Sequence, residues 1–166
     1  MIDFLLSWLN GVPPELVSFL LASLPLTESR LALPLALFVF DLSPLTAFVS
    51  TFFGNLLPVP ALYALLPSCI TFATAHVPML DRWFNGWFES LRKKHSEGYS
   101  KWGALFLFIL VVAPGPGTGV WTATVLAILF RVRPIFAILS IAAGLFVGSL
   151  AILGVSLGVF EGIKLL

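Results

Sequence analysis

Charge is scarce in this sequence. Of its 166 residues only 10% are Asp, Glu, Lys or Arg, while 59% are hydrophobic, and the mean hydropathy is +1.05. A soluble domain carries about 25% charge. Folding hides only about 70% of the surface of a chain of about 150 residues, so a water-soluble fold could not conceal this much apolar area. Lipid must therefore solvate much of the exterior, and the length suits one membrane domain. Cysteine is nearly absent: the single Cys69 excludes an internal disulfide and any multi-cysteine metal site, and it reads as a packed apolar residue. Base is missing from the N-terminal 29 residues. The opening Met1-Ile2-Asp3-Phe4-Leu5-Leu6-Ser7-Trp8 thus lacks the positive charge of a signal peptide and is expected to stay uncleaved, with Trp8 near the headgroups. No strongly basic face points to nucleic acid. No metal cluster, nucleophile–base pair or catalytic carboxylate pair stands out, so neither an enzyme nor a cofactor is expected.

What is present is a series of apolar stretches broken by proline and glycine. They cover 13–24, 27–40, 44–77, 102–130 and 134–166, with a polar, amphipathic linker at 79–101. The third is interrupted at Gly54-Asn55 and by Pro58, Pro60 and Pro67; the fourth breaks at Pro114-Gly115-Pro116-Gly117-Thr118-Gly119. A spanning helix needs about 20 residues. The pieces on either side of the breaks at Leu24-Pro25-Leu26 and at 114–119 reach only about the bilayer middle, whereas 44–77 and 134–166 can cross. The order half-helix, break, half-helix, full span occurs twice, as repeat 1 at about 13–77 and repeat 2 at about 102–166. At an offset of 90 residues Phe40 aligns with Phe130, Pro44 with Pro134, Ala47 with Ala137, Ser50 with Ser140 and Gly54 with Gly144. Internal repeats are a common build for secondary transporters.

Charge placement chooses a topology. If both broken stretches dip into the membrane and return, Arg82, Arg92, Lys93, Lys94, Lys101, Arg131 and Arg133 share one face, and Asp3, Glu15 and Asp41 fall on the other. If the broken stretches crossed, the linker bases and Arg131/Arg133 would be split. The positive-inside bias favours the first arrangement and makes 79–101 and 131–133 cytoplasmic. The expected fold is therefore an all-α integral membrane protein: an inverted repeat of re-entrant helical hairpin plus transmembrane helix, with a cytoplasmic amphipathic linker. Re-entrant backbone must be covered by protein or water. Hairpins entering from opposite faces can bring their tips to the midplane, where a site is expected.

The first tip carries Thr27, Glu28 and Arg30. A charge at the bilayer centre costs about 2.5–3.5 kcal/mol on insertion scales, so its presence needs a reason. Thr27 can N-cap the returning half-helix and place Glu28 in its first turn, where the dipole favours a carboxylate. Two residues apart, Glu28 and Arg30 do not face each other on a regular helix, so each calls for another partner or a ligand. The second tip offers Pro114, Pro116, Gly117, Thr118, Gly119 and Trp121. Its prolines remove backbone donors and its glycines allow close approach, so a half-helix opening here would present N–H groups to an anion. Gly-Thr-Gly by itself is no nucleotide motif, lacking the P-loop lysine and a preceding strand. Asn55 must find a partner for its amide, either lining a cavity or pinning a hairpin. His76 and His95 read as incidental, and Trp121 as a cavity wall.

These motifs resemble a known family. Thr27-Glu28-Ser29-Arg30-Leu31-Ala32-Leu33-Pro34 looks like the Glu-x-Arg-x-x-x-Pro signature of the small multidrug export family. Pro114-x-Pro116-Gly117-Thr118-Gly119-x-Trp121-Thr122 and Phe53-Gly54-Asn55-x-x-Pro58-x-Pro60 resemble its other two. Ala32 and Leu33, Gly115 and Ala123 depart from the usual wording. That family is similar to the DedA/VTT-like membrane protein superfamily. The likeness implies opposed re-entrant hairpins and lipid movement, including polyprenyl-phosphate flipping and phospholipid scrambling. Of the acidic and arginine residues implicated there, only Glu28 and Arg30 carry over.

The expected function is that of a DedA-like transporter, or lipid flippase, for a phosphate-bearing lipid, with proton or sodium coupling. Two alternatives stand beside it: a proton-coupled exporter of small cationic or amphipathic solutes, and a non-transporting membrane scaffold. Membrane lipid is the expected partner, the cytoplasmic membrane of a prokaryote the expected location, and the apolar exterior allows a homodimer.

Overall fold

The computed structural model describes residues 12–76, 86, 89–90, 93, 103–113, 115 and 118–164. All regular structure among them is helical: α1 (Pro14–Ser23), α2 (Glu28–Phe38), α3 (Pro44–Leu56), α4 (Pro58–His76), α5 (Ala104–Val112), α6 (Val120–Leu129) and α7 (Pro134–Lys164). Most of the 79–101 linker, the N-terminal segment with Trp8, and His95 lie outside the described residues.

Proline sets several of these boundaries. Pro14 stands at the first position of α1, and Pro44, Pro58 and Pro134 open α3, α4 and α7. The missing N–H costs nothing there, because the first N–H groups of a helix have no intrahelical partner. Pro58 thus begins a helix after the single turn residue Leu57. Gly54-Asn55 does not interrupt α3, and Pro67 lies inside α4. The interruptions expected at those two places are absent: at Gly54 the backbone of α1 packs directly against α3, and α4 runs on through Pro67.

Two helical runs are long and apolar enough to cross a membrane: Pro44–Cys69, of 26 residues, and Pro134–Gly158, of 25 residues. The first includes α3 and most of α4. By contrast α1 and α6 have 10 residues each, about 15 Å, half of a hydrocarbon core of about 30 Å.

The chain forms two compact units, one of residues up to Leu56 together with those from Ser149 onward, the other Leu57–Gly148. In the first, α1 and α2 make a helical hairpin packed on α3. Leu33, Ala36 and Leu37 of α2 and Ala47 of α3 form its core, covered by Leu42, Phe48, Ile152 and Leu153. Small residues let the helices approach, as in membrane interiors generally. A Cβ on Gly54 would strike the Phe19 carbonyl, so α1 and α3 touch backbone to backbone. Two buried hydroxyls are spent inside their own helices, Ser18 on the Pro14 carbonyl (2.8 Å) and Thr51 on that of Ala47 (2.7 Å). Ser43 caps α3, its Oγ accepting the Thr46 N–H at 3.2 Å.

The second unit contains the α5–α6 hairpin with α4 and the start of α7. A Cβ on Gly144 would lie 2.7 Å from the Phe108 carbonyl oxygen, the same kind of close approach of a long helix to the first arm of a hairpin. Thr124 donates to the Val120 carbonyl at 2.6 Å. The two sets of helices begin 90, 92 and 90 residues apart (Pro14 and Ala104, Glu28 and Val120, Pro44 and Pro134). The turns that follow the hairpins also correspond. Asp41 and Arg131 both take a left-handed conformation, at φ 50° and 56°. The residue after each donates its N–H back into the hairpin, Leu42 to the Ala36 carbonyl at 3.0 Å and Val132 to that of Ala127 at 2.8 Å.

Cys69 is exposed on α4, not packed as expected. Its position in an apolar span leaves it on the outer surface, where a small apolar residue suits lipid.

Candidate functional site

The first break occupies Leu24–Thr27, between the end of α1 and the start of α2. Asn55 on α3 fixes its geometry. The Asn55 side chain is 1% exposed, so every polar atom on it must be satisfied within the protein. One orientation does so: the amide nitrogen donates to the Ala22 carbonyl at 3.3 Å, and the oxygen accepts from the Ser29 N–H at 3.0 Å and the Ser29 hydroxyl at 3.1 Å. One side chain thus ties the last turn of α1 to the first turn of α2. Of the two roles the sequence left open for Asn55, the hydrogen bonds assign hairpin pinning.

This clamp also corrects the expectation for Thr27. Thr27 does precede α2, but its side chain makes no capping bond to the helix that follows. Its hydroxyl donates instead to the Leu21 carbonyl, closing the break from within. The N-terminal N–H that Thr27 would have capped, on Ser29, is taken by Asn55 from another helix.

Glu28 is the first residue of α2, as expected, and it enters with φ 42°. Left-handed backbone at a non-glycine residue costs about 1–3 kcal/mol and persists only where surrounding contacts enforce it. The contacts here are the Glu28 N–H on the Leu24 carbonyl (3.1 Å), the Leu31 N–H on the Thr27 carbonyl (3.1 Å), and the Asn55 clamp on Ser29. Ser29 is buried beneath the half-buried Glu28 and Arg30. A helix advances about 100° per residue, so Arg30 diverges from the Ser29 face that meets α3. Pro34, inside α2, cannot offer an N–H to the Arg30 carbonyl, and the helical ladder is interrupted there.

The second break follows a related plan. The Thr118 hydroxyl lies 2.7 Å from both the Ala113 and the Gly115 carbonyls and is shared between them. Thr27 and Thr118 therefore do the same work, each returning a hydroxyl to the end of the preceding half-helix. Gly119 precedes α6 with φ 141° and is buried, so only glycine enters the helix at this angle without strain. Trp121 is half-buried in the first turn of α6. Pro114, Pro116 and Gly117 lie outside the described residues. The residue that corresponds to Asn55 at the 90-residue offset is Leu145, which is 2% exposed and has no side-chain hydrogen-bonding group, so no amide clamps the second break from that position.

The first unit thus brings Thr27, Glu28, Arg30 and Asn55 to one break, and the second brings Thr118, Gly119 and Trp121 to the other. Sequence reading missed Ser29 and Ala22, the two ends of the clamp. Ser29 lies between the two charged residues that drew attention, and only its burial and the Asn55 contact mark it.

The family model described as "Putative small multi-drug export protein" matches residues 28–151, about three quarters of the chain. The chain belongs to this family. The match begins at Glu28, directly after the first break, and takes in the second break, the Pro44–Cys69 span and most of the Pro134–Gly158 span. No curated protein and no solved structure matches the chain. Family and apolar spans together make it a membrane protein with a transport role.

Proposed function

We propose that this small multidrug export family member is a DedA-like transporter that translocates a phosphate-bearing lipid, polyprenyl phosphate or phospholipid. In this reading the two hairpins are re-entrant and the halves form an inverted repeat in the cytoplasmic membrane of a prokaryote, with 79–101 and 131–133 on the cytoplasmic face. The observation that carries it is the first break. A glutamate and an arginine stand at the opening of α2, between apolar arms, on a backbone that Asn55 and Thr27 fix in a left-handed entry. Charge at such a depth is retained for work. Arg30 would hold the phosphate, and Glu28 would exchange a proton. The 90-residue correspondence of helix starts, glycine contacts and left-handed turns supports the repeat.

The test is reconstitution of the full chain into liposomes with a fluorescent anionic lipid. Wild type should accelerate flipping, and Glu28→Gln and Arg30→Ala should each slow it at least about tenfold, about 1.4 kcal/mol of barrier. Equal rates in wild type and variants would overturn the reading.

The family description favours a second one, export of small cationic or amphipathic solutes by proton antiport at Glu28. It predicts solute-dependent proton release that Glu28→Gln abolishes and that anionic lipid does not compete. A non-transporting scaffold is the third reading; it fails if both variants fold normally and lose activity in cells.

A further inference from the structure

We propose that the α6–α7 turn is a fixed seat for the phosphate of an anionic bilayer phospholipid, gripped by Arg131 and Arg133. The turn is held on three sides. The Phe130 N–H donates to the Leu126 carbonyl at 2.8 Å, the Val132 N–H to the Ala127 carbonyl at 2.8 Å, and the Tyr63 hydroxyl to the Val132 carbonyl at 3.3 Å. Val132 is partly buried, while the arginines on either side of it are exposed. Among the described residues neither arginine has a carboxylate partner.

Depth identifies the partner. Pro134 begins one apolar span, and Tyr63 lies within about two turns of Cys69, where the other ends. Tyrosine and arginine at such a border are interfacial anchors, and the phosphates of the bilayer lie at that level. Backbone need does not explain the base. Asp41 occupies the corresponding turn with nearly the same φ, so the left-handed position accepts an acid equally well. A pair of exposed guanidiniums on an immobilised turn at the apolar border fits a lipid phosphate, which accepts from both.

The seat is independent of the transported substrate and should persist in Glu28→Gln. Purified full-length protein, delipidated in neutral detergent, would be titrated with phosphatidylglycerol or phosphatidylcholine, and retained lipid counted by native mass spectrometry. Wild type should prefer phosphatidylglycerol. Arg131→Gln and Arg133→Gln should each weaken its retention about fivefold and leave phosphatidylcholine unchanged. Arg131→Lys with Arg133→Lys should keep most of the preference, and Asp41→Asn all of it. Unaltered phosphatidylglycerol retention in the double Gln variant would overturn the proposal. So would displacement by inorganic phosphate at equal concentration, which would make the turn a free-anion site.

Discussion

At the scale of the residue, Asn55 carries more structure than any other polar side chain described. Removing it takes away the partner that Asn55 gives to the Ser29 N–H and the Ala22 carbonyl. An unsatisfied buried group costs about 1–3 kcal/mol, so Asn55→Ala should destabilise the protein by at least that amount in detergent unfolding. Asn55→Asp is the sharper probe. A carboxylate can still accept from Ser29 but cannot donate to Ala22, so its loss should match or exceed that of alanine, with charge burial added. A smaller loss for both than for an exposed control such as Leu26→Ala would mean that the clamp does not hold the break. Glycine yields a paired prediction. Gly119 stands at φ 141°, and Gly119→Ala should cost about 1–3 kcal/mol. A Cβ on Gly115 would meet the Thr118 side chain at 3.7 Å, ordinary contact, so Gly115→Ala should be neutral or stabilising by up to about 1 kcal/mol.

At the scale of the element, the sequence announced the breaks but not what secures them. Proline and glycine mark 25 and 114–119 because those residues alter backbone donors and torsions locally, and a local cause is legible in a linear sequence. The lengths of α1 and α6 followed, and so did the two runs able to cross a membrane. Thr27 was misread because capping was judged from its own neighbours, whereas the competing acceptor for the Ser29 N–H comes 26 residues later on α3. The pause expected at Gly54 failed for the same reason: helix-breaking propensity is a local quantity, and packing outweighs it. Gly54 shows what the glycine does instead. It removes the side chain that would keep α1 from α3, and Gly144 does so for α5 and α7. Gly54→Ala and Gly144→Ala should each cost about 1–3 kcal/mol through overpacking. Gly54→Ala should cost more, because its added methyl meets a backbone carbonyl more closely. Thermal midpoints of the two variants in one detergent decide the order.

At the scale of the whole molecule, the sidedness proposed for the chain rests on where its bases fall, and it can be read without knowing the substrate. Positive residues are held back from crossing during insertion, so the face that bears them stays cytoplasmic. If α5 and α6 form a re-entrant pair, the chain returns to the face it left, and Lys93 and Arg133, before and after that pair, must be reached from one side. If α5 and α6 crossed together as one kinked helix, the two residues would be reached from opposite sides. Single cysteines at positions 93 and 133, in a chain whose exposed Cys69 is replaced by serine, separate these cases. An impermeant maleimide added to inverted membrane vesicles should label both and to intact cells neither. Labelling of one from each side would dissolve the re-entrant hairpin, and with it the reason for placing Glu28 and Arg30 at a depth where charge is costly.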